Sequence, residues 1–237
     1  YLGRANRFLL PYAKKMLVSY KELEGIPKKY ENKVVTVGNI IRQEIINFSK
    51  DQNLDFNDKK IKILVLGGSQ AAKIFAEKLP KIFEKCTKNG ISLTIYQQCL
   101  PFQNEYLNNF YLNLNIEFET FNFSDNLLNY FSKIDLAITR SGSSMLAELT
   151  NARIPFVSVP LPSSADNHQL KNAIHYEKYG YSYLIEEKDL DIKLFHLIKK
   201  INEDKSLLRE IKSKQRQHSD KSVYENIDQQ LEKLINE

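Results

Sequence analysis

Serine, glycine and a carboxylate lie close together in the run Arg140 to Glu148, which reads RSGSSMLAE. The apolar run Lys133 to Ile138 before it predicts a buried strand, and the pattern from Met145 to Thr150 predicts a helix. A strand that enters a helix through such a turn leaves the first N–H groups of the helix facing the carboxyl end of the strand. Those groups and the helix dipole favour an anion. The segment therefore predicts part of a nucleotide site, and a capped helix without a ligand is the alternative.

The side chains of this turn have separate roles in the prediction. Gly142 permits a ligand to approach the backbone closely, and the neighbouring Ser141 is expected to contact the same ligand. Ser143 is predicted to cap the helix. Glu148, one or two turns into the helix, offers a carboxylate to the two hydroxyls of a sugar.

A second small-residue turn, Gly67 to Ala72 (GGSQAA), follows the apolar run Lys62 to Leu66 and precedes a helix predicted to end near Lys88. The glycines permit close approach, the hydroxyl of Ser69 can donate to a phosphate oxygen, and the helix dipole adds about 0.3 to 1 kcal/mol. The turn is neither G-x-G-x-x-G nor a P-loop, which argues against a dinucleotide enzyme or an NTPase. A tight turn without a ligand is the alternative.

A third polar segment follows the apolar run Ile154 to Val159, which predicts another buried strand. Prolines end this strand, and a helix is predicted to begin near Asn167 with Asp166 as its cap. The amides of Gln169 and Asn172 are three residues apart. They therefore lie on one face of that helix and point back at the strand ends.

An aromatic loop follows the predicted strand Asn115 to Glu119. Phe123 in this loop can hold a flat base, and core packing is the other explanation for its aromatic side chains. A short helix is expected next, capped by Ser124 or Asp125.

Alternating strands and helices from about residue 60 to residue 185 predict an α/β fold. The expected architecture is a doubly wound, parallel, Rossmann-like sheet with its ligand at the carboxyl ends of the strands. Outside this region the pattern predicts a helix within 2–15, strands at 16–19 and 34–37, a helix at 43–48, a polar linker at 49–60, and helices at 189–202, 205–214 and 220–235.

The composition is that of an ordinary globular protein. The 237 residues are 42% hydrophobic and 27% charged, with a formal charge of +5. No apolar run approaches the ~20 residues of a membrane-spanning helix. Cys86 and Cys99 have no companion ligands and are expected to be reduced. Neither a metal ion nor a cofactor is expected, and no nucleic acid is expected as a partner.

Four motifs together resemble the MurG family of bacterial murein glycosyltransferases. They occur in the family's order, and they are GNIIR at 38–42, GGSQAA at 67–72, RSGSSxxxE at 140–148 and DNHQxxNA at 166–173. The sequence departs from the family pattern at Ile40, Ala71 and Met145. The resemblance implies a two-domain glycosyltransferase B-type fold. It implies that residues 1–38 are a remnant of the acceptor domain, that 39–217 form the UDP-sugar-binding domain, and that 218–237 form a helix returning to the acceptor domain.

The same resemblance implies an inverting hexosyltransferase. It would move N-acetylglucosamine (GlcNAc) from UDP-GlcNAc to the C4 hydroxyl of the N-acetylmuramic acid (MurNAc) of lipid I, the undecaprenyl-pyrophosphoryl-MurNAc-peptide, to give lipid II. The implied location is peripheral, on the cytoplasmic face of the bacterial inner membrane, with an anionic membrane surface as a partner. The catalytic base is expected outside this chain, in an N-terminal portion that we infer to be missing. The chain is therefore expected to bind the donor without turnover.

The resemblance also assigns contacts to particular residues, all of them in the motifs or the aromatic loop. The diphosphate is expected at Ser69 and the neighbouring backbone of Gly68 and Gln70, with Arg42 near it at a hinge. Uracil is expected at Phe123 and the main chain of Ser124. The ribose is expected at Glu148, beyond the Ser141 and Gly142 turn. The hydroxyls of GlcNAc are expected at His168, Gln169 and Asn172.

Two alternatives remain from the sequence. One is another UDP-sugar transferase of the same fold with a different acceptor. The other is a non-catalytic nucleotide-sugar-binding subunit that acts with a membrane partner.

Overall fold

The computed structural model describes residues 2–21, 24–48, 60–124 and 127–236, and the side chains of Arg4 and of residues 68–72 lie outside the described part. The chain divides into two compact units. The first comprises residues 1–47 and 219–237, and the second comprises residues 48–218. The predicted linker at 49–60 lies outside the described residues except for Lys60.

The first unit begins with a short helix and a pair of parallel strands. Helix α1 (Arg4–Leu9) precedes strand β1 (Met16–Val18), which pairs with β2 (Val34–Thr36), and helix α2 (Gln43–Asn47) follows. The ammonium of Lys33 donates to the carbonyls of Pro11 and Ala13 at 2.9 and 2.7 Å, which satisfies acceptors just beyond α1. These elements lie in the regions where the sequence predicts them.

The second unit contains a six-stranded sheet. Its strands are β3 (Ile61–Leu66), β4 (Leu93–Gln98), β5 (Glu117–Phe121), β6 (Leu136–Arg140), β7 (Phe156–Val159) and β8 (Tyr183–Leu184). The spatial order is β5-β4-β3-β6-β7-β8, and every pair is parallel. The chain runs outward from β3 through β4 to β5 and then returns to the other side of β3. This reversal creates the crevice in which doubly wound folds bind ligands. The predicted fold class is confirmed.

Helices cover both faces of the sheet, as a parallel sheet requires. They are α3 (Gly68–Lys88), α4 (Asn104–Asn113), α5 (Leu128–Phe131), α6 (Ser143–Asn151), α7 (His168–Lys178), α8 (Leu190–Glu203) and α9 (Ser206–Gln215). Strands β6 and β7 are buried throughout, and Ile63, Leu64 and Val65 of β3 have no solvent-accessible surface. Phe75, Leu79 and Phe83 recur at helical spacing in α3 and are fully buried in the main hydrophobic core.

The first unit is completed by helix α10 (Val223–Ile235) and the turn before it. The carboxylate of Asp220 is buried and accepts a hydrogen bond from the backbone N–H of Asn39 at 2.8 Å. Gly38 has a φ of +104°, and a Cβ at this position would lie 2.8 Å from Oδ1 of Asp220. Asn39 of the GNIIR motif therefore binds the carboxylate that precedes the last helix, and the absence of a side chain at Gly38 leaves room for that carboxylate. Within the described residues no helix has the length and apolar character needed to cross a membrane.

Candidate donor site

Two turns of the predicted site leave the sheet side by side. Leu66 at the end of β3 pairs in parallel with Thr139 of β6, so both chains emerge at the same edge, about 4.8 Å apart. Helix α3 begins at Gly68 and helix α6 begins at Ser143, and both N-termini lie at this edge. Their N–H groups meet at the reversal of strand order, which is the arrangement expected of an anion-binding edge. The side chains of Ser69 and Gln70 lie outside the described part, so their contacts stay predictions.

The turn after β6 has room for a ligand. Gly142 has φ −69° and ψ 133°, and a Cβ built on it would meet no atom within 4 Å. Ser141 beside it is fully buried, and its Oγ has no hydrogen-bond partner among the described residues. Gly142 is the N-cap of α6 and Ser143 is the first helical residue, with no capping bond from a side chain. The prediction that Ser143 caps this helix is therefore wrong, because the chain turns one residue earlier.

Glu148 lies on the second turn of α6 and is only 8% exposed. Five residues of helix separate it from the N-terminus of α6, a rise of about 7.5 Å. A carboxylate is rarely this buried unless it is paired with another group. Its position on the helix that starts at the predicted anion-binding edge fits a sugar-binding carboxylate, and its contact with a ribose remains a prediction.

A side-chain hydrogen bond connects helix α7 to the turn after β6. Nδ2 of Asn172 donates to the backbone carbonyl of Ser141 at 3.1 Å. The helix begins at His168, close to the predicted start. Its N-cap is Asn167, in the left-handed region, and no side chain caps it. Asp166 is also left-handed and belongs to the preceding 3-10 turn, so the prediction that Asp166 caps α7 is wrong.

The other two predicted sugar contacts have defined orientations. Nδ1 of His168 lies 2.8 Å from the carbonyl of Ala165, which assigns a proton to Nδ1. Oε1 of Gln169 accepts from the backbone N–H of Leu161 at 3.0 Å. Gln169 therefore retains its amide nitrogen, and His168 its Nε2, for hydrogen bonds to hydroxyl groups.

Arg140 has a structural role that sequence reasoning did not find. It is 8% exposed and donates to the carbonyls of Val159 and Pro160 at 3.3 and 3.2 Å and to the carboxylate of Glu187 at 2.6 Å. Its guanidinium also lies 5.0 Å from the ring centre of Phe75. Arg140 thereby fixes the end of β6, and with it the turn at Ser141, to β7 and to the segment after β8. No local signal relates Arg140 to Glu187, because 47 residues separate them.

The aromatic loop after β5 exposes its second phenylalanine. Phe123 is 76% exposed and Ser124 is partly buried. Phe121 instead stacks on Tyr130 with 4.5 Å between ring centres. Helix α5 has Leu127 as its N-cap without a side-chain capping bond, so the predicted cap at Ser124 or Asp125 is wrong. Asp125 itself lies outside the described residues.

Arg42 belongs to the first unit, whereas the other predicted contacts belong to the second. It is half-buried and lies in the chain between β2 and α2. Its carbonyl accepts hydrogen bonds from the backbone N–H groups of Ile45 and Ile46. Its contribution to the donor site stays a prediction.

A cavity of about 270 Å³ lies beside the first turn of α7. Pro160, Leu161, Leu170 and Glu187 are among its lining residues. Leu170 and Asn172 lie on opposite faces of the helix because they are two residues apart. The cavity therefore lies away from Asn172. It adjoins Gln169, because the backbone N–H of its lining residue Leu161 donates to Oε1 of Gln169.

The described residues contain no group of three His, Cys, Asp or Glu side chains that could hold a metal ion. Asp189 and Asp191 have the Asp-x-Asp spacing of some metal sites. They pair instead with Lys193 and Lys78, at 2.8 and 2.9 Å.

Comparison with known families identifies the chain. Residues 62–229 match the model of the glycosyltransferase family 28 C-terminal domain. The chain belongs to this family. The matched region contains the β3, β6 and β7 turns described above, and the resemblance seen in the four motifs is confirmed.

Two curated relatives of this family 28 chain are each named "UDP-N-acetylglucosamine--N-acetylmuramyl-(pentapeptide) pyrophosphoryl-undecaprenol N-acetylglucosamine transferase". The protein from Pelagibacter ubique is 34% identical over 237 residues, which is 100% of this chain and 65% of that protein. The protein from Rickettsia bellii is 38% identical over 206 residues, which is 84% of this chain and 58% of that protein. The chain therefore spans about three fifths of the length of these relatives.

Solved structures share the fold. MurG from Acinetobacter baumannii superimposes with a TM-score of 0.78 at 24% identity, covering 98% of this chain and 64% of that one. A structure of Staphylococcus aureus MnaA with UDP has a TM-score of 0.60 at 14% identity and covers 88% and 56% of the two chains.

Proposed function

We propose that this chain supplies the donor site of an inverting transferase that moves GlcNAc from UDP-GlcNAc to the MurNAc C4 hydroxyl of lipid I, giving lipid II in peptidoglycan synthesis. The observation that carries the proposal is the meeting of the β3 and β6 turns at the reversal of strand order, with Asn172 of α7 bonded to Ser141. The names of the curated relatives support the choice of donor and acceptor.

The proposed chemistry assigns one task to this chain, the stabilisation of the leaving UDP. When the acceptor hydroxyl attacks C1 of GlcNAc, negative charge grows on the diphosphate. N–H groups at the starts of α3 and α6 face that charge without reorganising, which is the arrangement that lowers such barriers most. Glu148 would bind the ribose hydroxyls, and His168, Gln169 and Asn172 would bind those of GlcNAc.

We also propose the domain assignment and location implied by the resemblance. Residues 1–38 and 218–237 would belong to the acceptor domain, and 39–217 to the donor domain. The enzyme would act on the cytoplasmic face of the inner membrane, held peripherally. Basic Arg7 and Lys14 near the exposed rings of Phe8 and Tyr12 support contact with anionic lipid. Sedimentation that is equal with neutral and anionic liposomes would remove this part of the proposal.

Calorimetry with UDP-GlcNAc and other UDP-sugars tests the donor. We expect UDP-GlcNAc to bind, and Glu148→Ala to weaken binding by about 10- to 100-fold, because a hydrogen bond to a charged group contributes about 1.5 to 3 kcal/mol. Glu203→Ala, on the exposed end of α8, is the matched control and should bind as the wild type does. Equal affinity of Glu148→Ala and wild type would reject the ribose assignment, and preference for another UDP-sugar would identify a different transferase of the same fold.

A further inference from the structure

Two phenylalanines near the carboxyl ends of the strands, where the donor is proposed to bind, are largely exposed. Phe102, on the turn between β4 and α4, is 75% exposed, and Phe123, after β5, is 76% exposed. Among the described aromatic residues of the second unit these two have the largest exposed fractions. Side chains of this size normally contribute to cores or to binding surfaces.

The two segments leave the sheet together, at the edge used by the donor. Gln98 pairs in parallel with Phe121, and the backbone N–H of Cys99 donates to the carbonyl of Phe121 at 2.9 Å. Strand β4 lies between β3 and β5. The turn that carries Phe102 therefore lies between the turn at Gly67 and the segment that carries Phe123.

Side-chain hydrogen bonds hold the two segments against each other. Nε2 of Gln98 donates to the carbonyl of Asn122 at 3.2 Å, and Nδ2 of Asn104 donates to Oδ1 of Asn122 at 3.0 Å. Gln98 and Asn104 flank Phe102 in the chain, and Asn122 directly precedes Phe123. Both rings are thus carried by segments that meet at one residue, Asn122.

The turn that carries Phe102 is also rigid. Pro101 begins a 3-10 turn, and the backbone N–H of Leu100 donates to Oε1 of Gln103 at 2.9 Å. The thiol of Cys99 donates to Oδ1 of Asn104 at 2.8 Å. A ring on a preorganised turn loses little conformational entropy when it contacts a ligand.

We propose that Phe102 is a second aromatic contact for the nucleobase of the donor, so that uracil is contacted by Phe102 as well as by Phe123. The inference rests on the proposed function, because it takes a uridine nucleotide as the ligand. A flat base bound between the two segments would contact both rings, and stacking on aromatic side chains is favourable for any base. Phe102 would then contribute to affinity for the nucleoside part and not for the sugar or the diphosphate.

Affinity measurements separate these contributions. We expect Phe102→Ala to lower the affinity for UDP and the affinity for UDP-GlcNAc by the same factor, about tenfold. The affinity for pyrophosphate should stay unchanged. Phe123→Ala should behave similarly. Phe8→Ala, which removes an equally exposed ring from α1 in the first unit, is the matched control and should bind UDP as the wild type does. Thermal unfolding should be the same for all three variants, because these rings are exposed.

A fluorescence reporter gives an independent test, since the chain contains no tryptophan. In F102W the single indole should change its emission on addition of UDP and not of pyrophosphate, and F8W should not respond to either. The role of Phe102 alone would be overturned if the wild type binds UDP, Phe102→Ala binds UDP with equal affinity, and the emission of F102W does not change on addition of UDP. Wild-type protein that binds neither UDP nor UDP-GlcNAc would overturn the proposed function itself.

Discussion

Single residues define the space in which the donor would lie. Gly142 has a backbone conformation that any L-residue adopts, and a Cβ there meets nothing within 4 Å. Conformation therefore does not require glycine at this position. The free space above the turn is what a side chain would fill, and it is the space that a diphosphate close to the N–H groups of α6 would need.

Substitution at Gly142 should consequently lower the affinity for the donor with little effect on the stability of the fold. We expect Gly142→Ala to change the free energy of unfolding by less than about 1 kcal/mol, because alanine restricts the unfolded chain but is a poorer N-cap than glycine. Affinity for UDP-GlcNAc should fall, because the methyl group occupies the path of the ligand. Chemical denaturation and calorimetry measure the two effects. Gly3→Ala, also free of contacts, is the control for stability, and undiminished donor affinity in Gly142→Ala would contradict the placement of the ligand.

A buried thiol gives a pH-dependent prediction at the same scale. Cys86 is fully buried in the main core, and burial raises the pKa of its thiol from 9.0 to about 12. The unfolded chain releases this proton near its ordinary pKa, so the contribution of Cys86 to stability is complete below pH 9 and is lost as the pH rises toward 12. The difference in free energy of unfolding between wild type and Cys86→Ala should therefore shrink between pH 9 and 11. If that difference in free energy of unfolding stays constant over this pH range, the pKa of the Cys86 thiol is not raised by burial.

At the scale of elements, one buried ion pair positions the turn after β6 that contains Ser141. Arg140 at the end of β6 contacts the last carbonyls of the β7 segment and the carboxylate of Glu187 after β8. Three neighbouring strand ends are therefore fixed by one guanidinium. The prolines and polar loop that follow β7 begin from this fixed point, and so does the turn that contains Ser141.

Removal of one partner from this pair should be costly. We expect Glu187→Ala to lower the free energy of unfolding by about 3 kcal/mol, because the guanidinium of Arg140 would stay buried without its carboxylate. Lys193→Ala breaks an exposed ion pair with Asp189 and should change stability little. Urea denaturation compares the two variants. Losses of equal size in both would indicate that burial does not distinguish these pairs.

At the scale of the whole molecule, the second unit contains the described part of the site. Its N–H groups at the starts of α3 and α6 lack partners inside their helices, so they exchange with solvent readily unless a ligand binds them. The first turn of α9, in the same unit, has no role in the proposed site.

Hydrogen exchange with and without UDP-GlcNAc tests this arrangement. Saturating donor should slow exchange at 67–70 and 142–145, the N-caps and first residues of α3 and α6, and should leave the first turn of α9 at 206–209 unchanged. Protection spread equally over all three segments would indicate general stabilisation by the ligand and not direct contact.

The order and type of the elements, the parallel sheet and the family were all predictable without coordinates, because strand and helix periodicity and the four motifs are local properties of the chain. The predictions of helix caps at Ser143, at Asp166 and at Ser124 or Asp125 were wrong, because the residue at which a helix begins depends on how the preceding loop packs. Only the tertiary structure joined Arg140 to Glu187, Asn172 to Ser141, and the turn of Phe102 to Asn122. Those contacts connect residues far apart in the chain, and only the order of strands in the sheet brings them together.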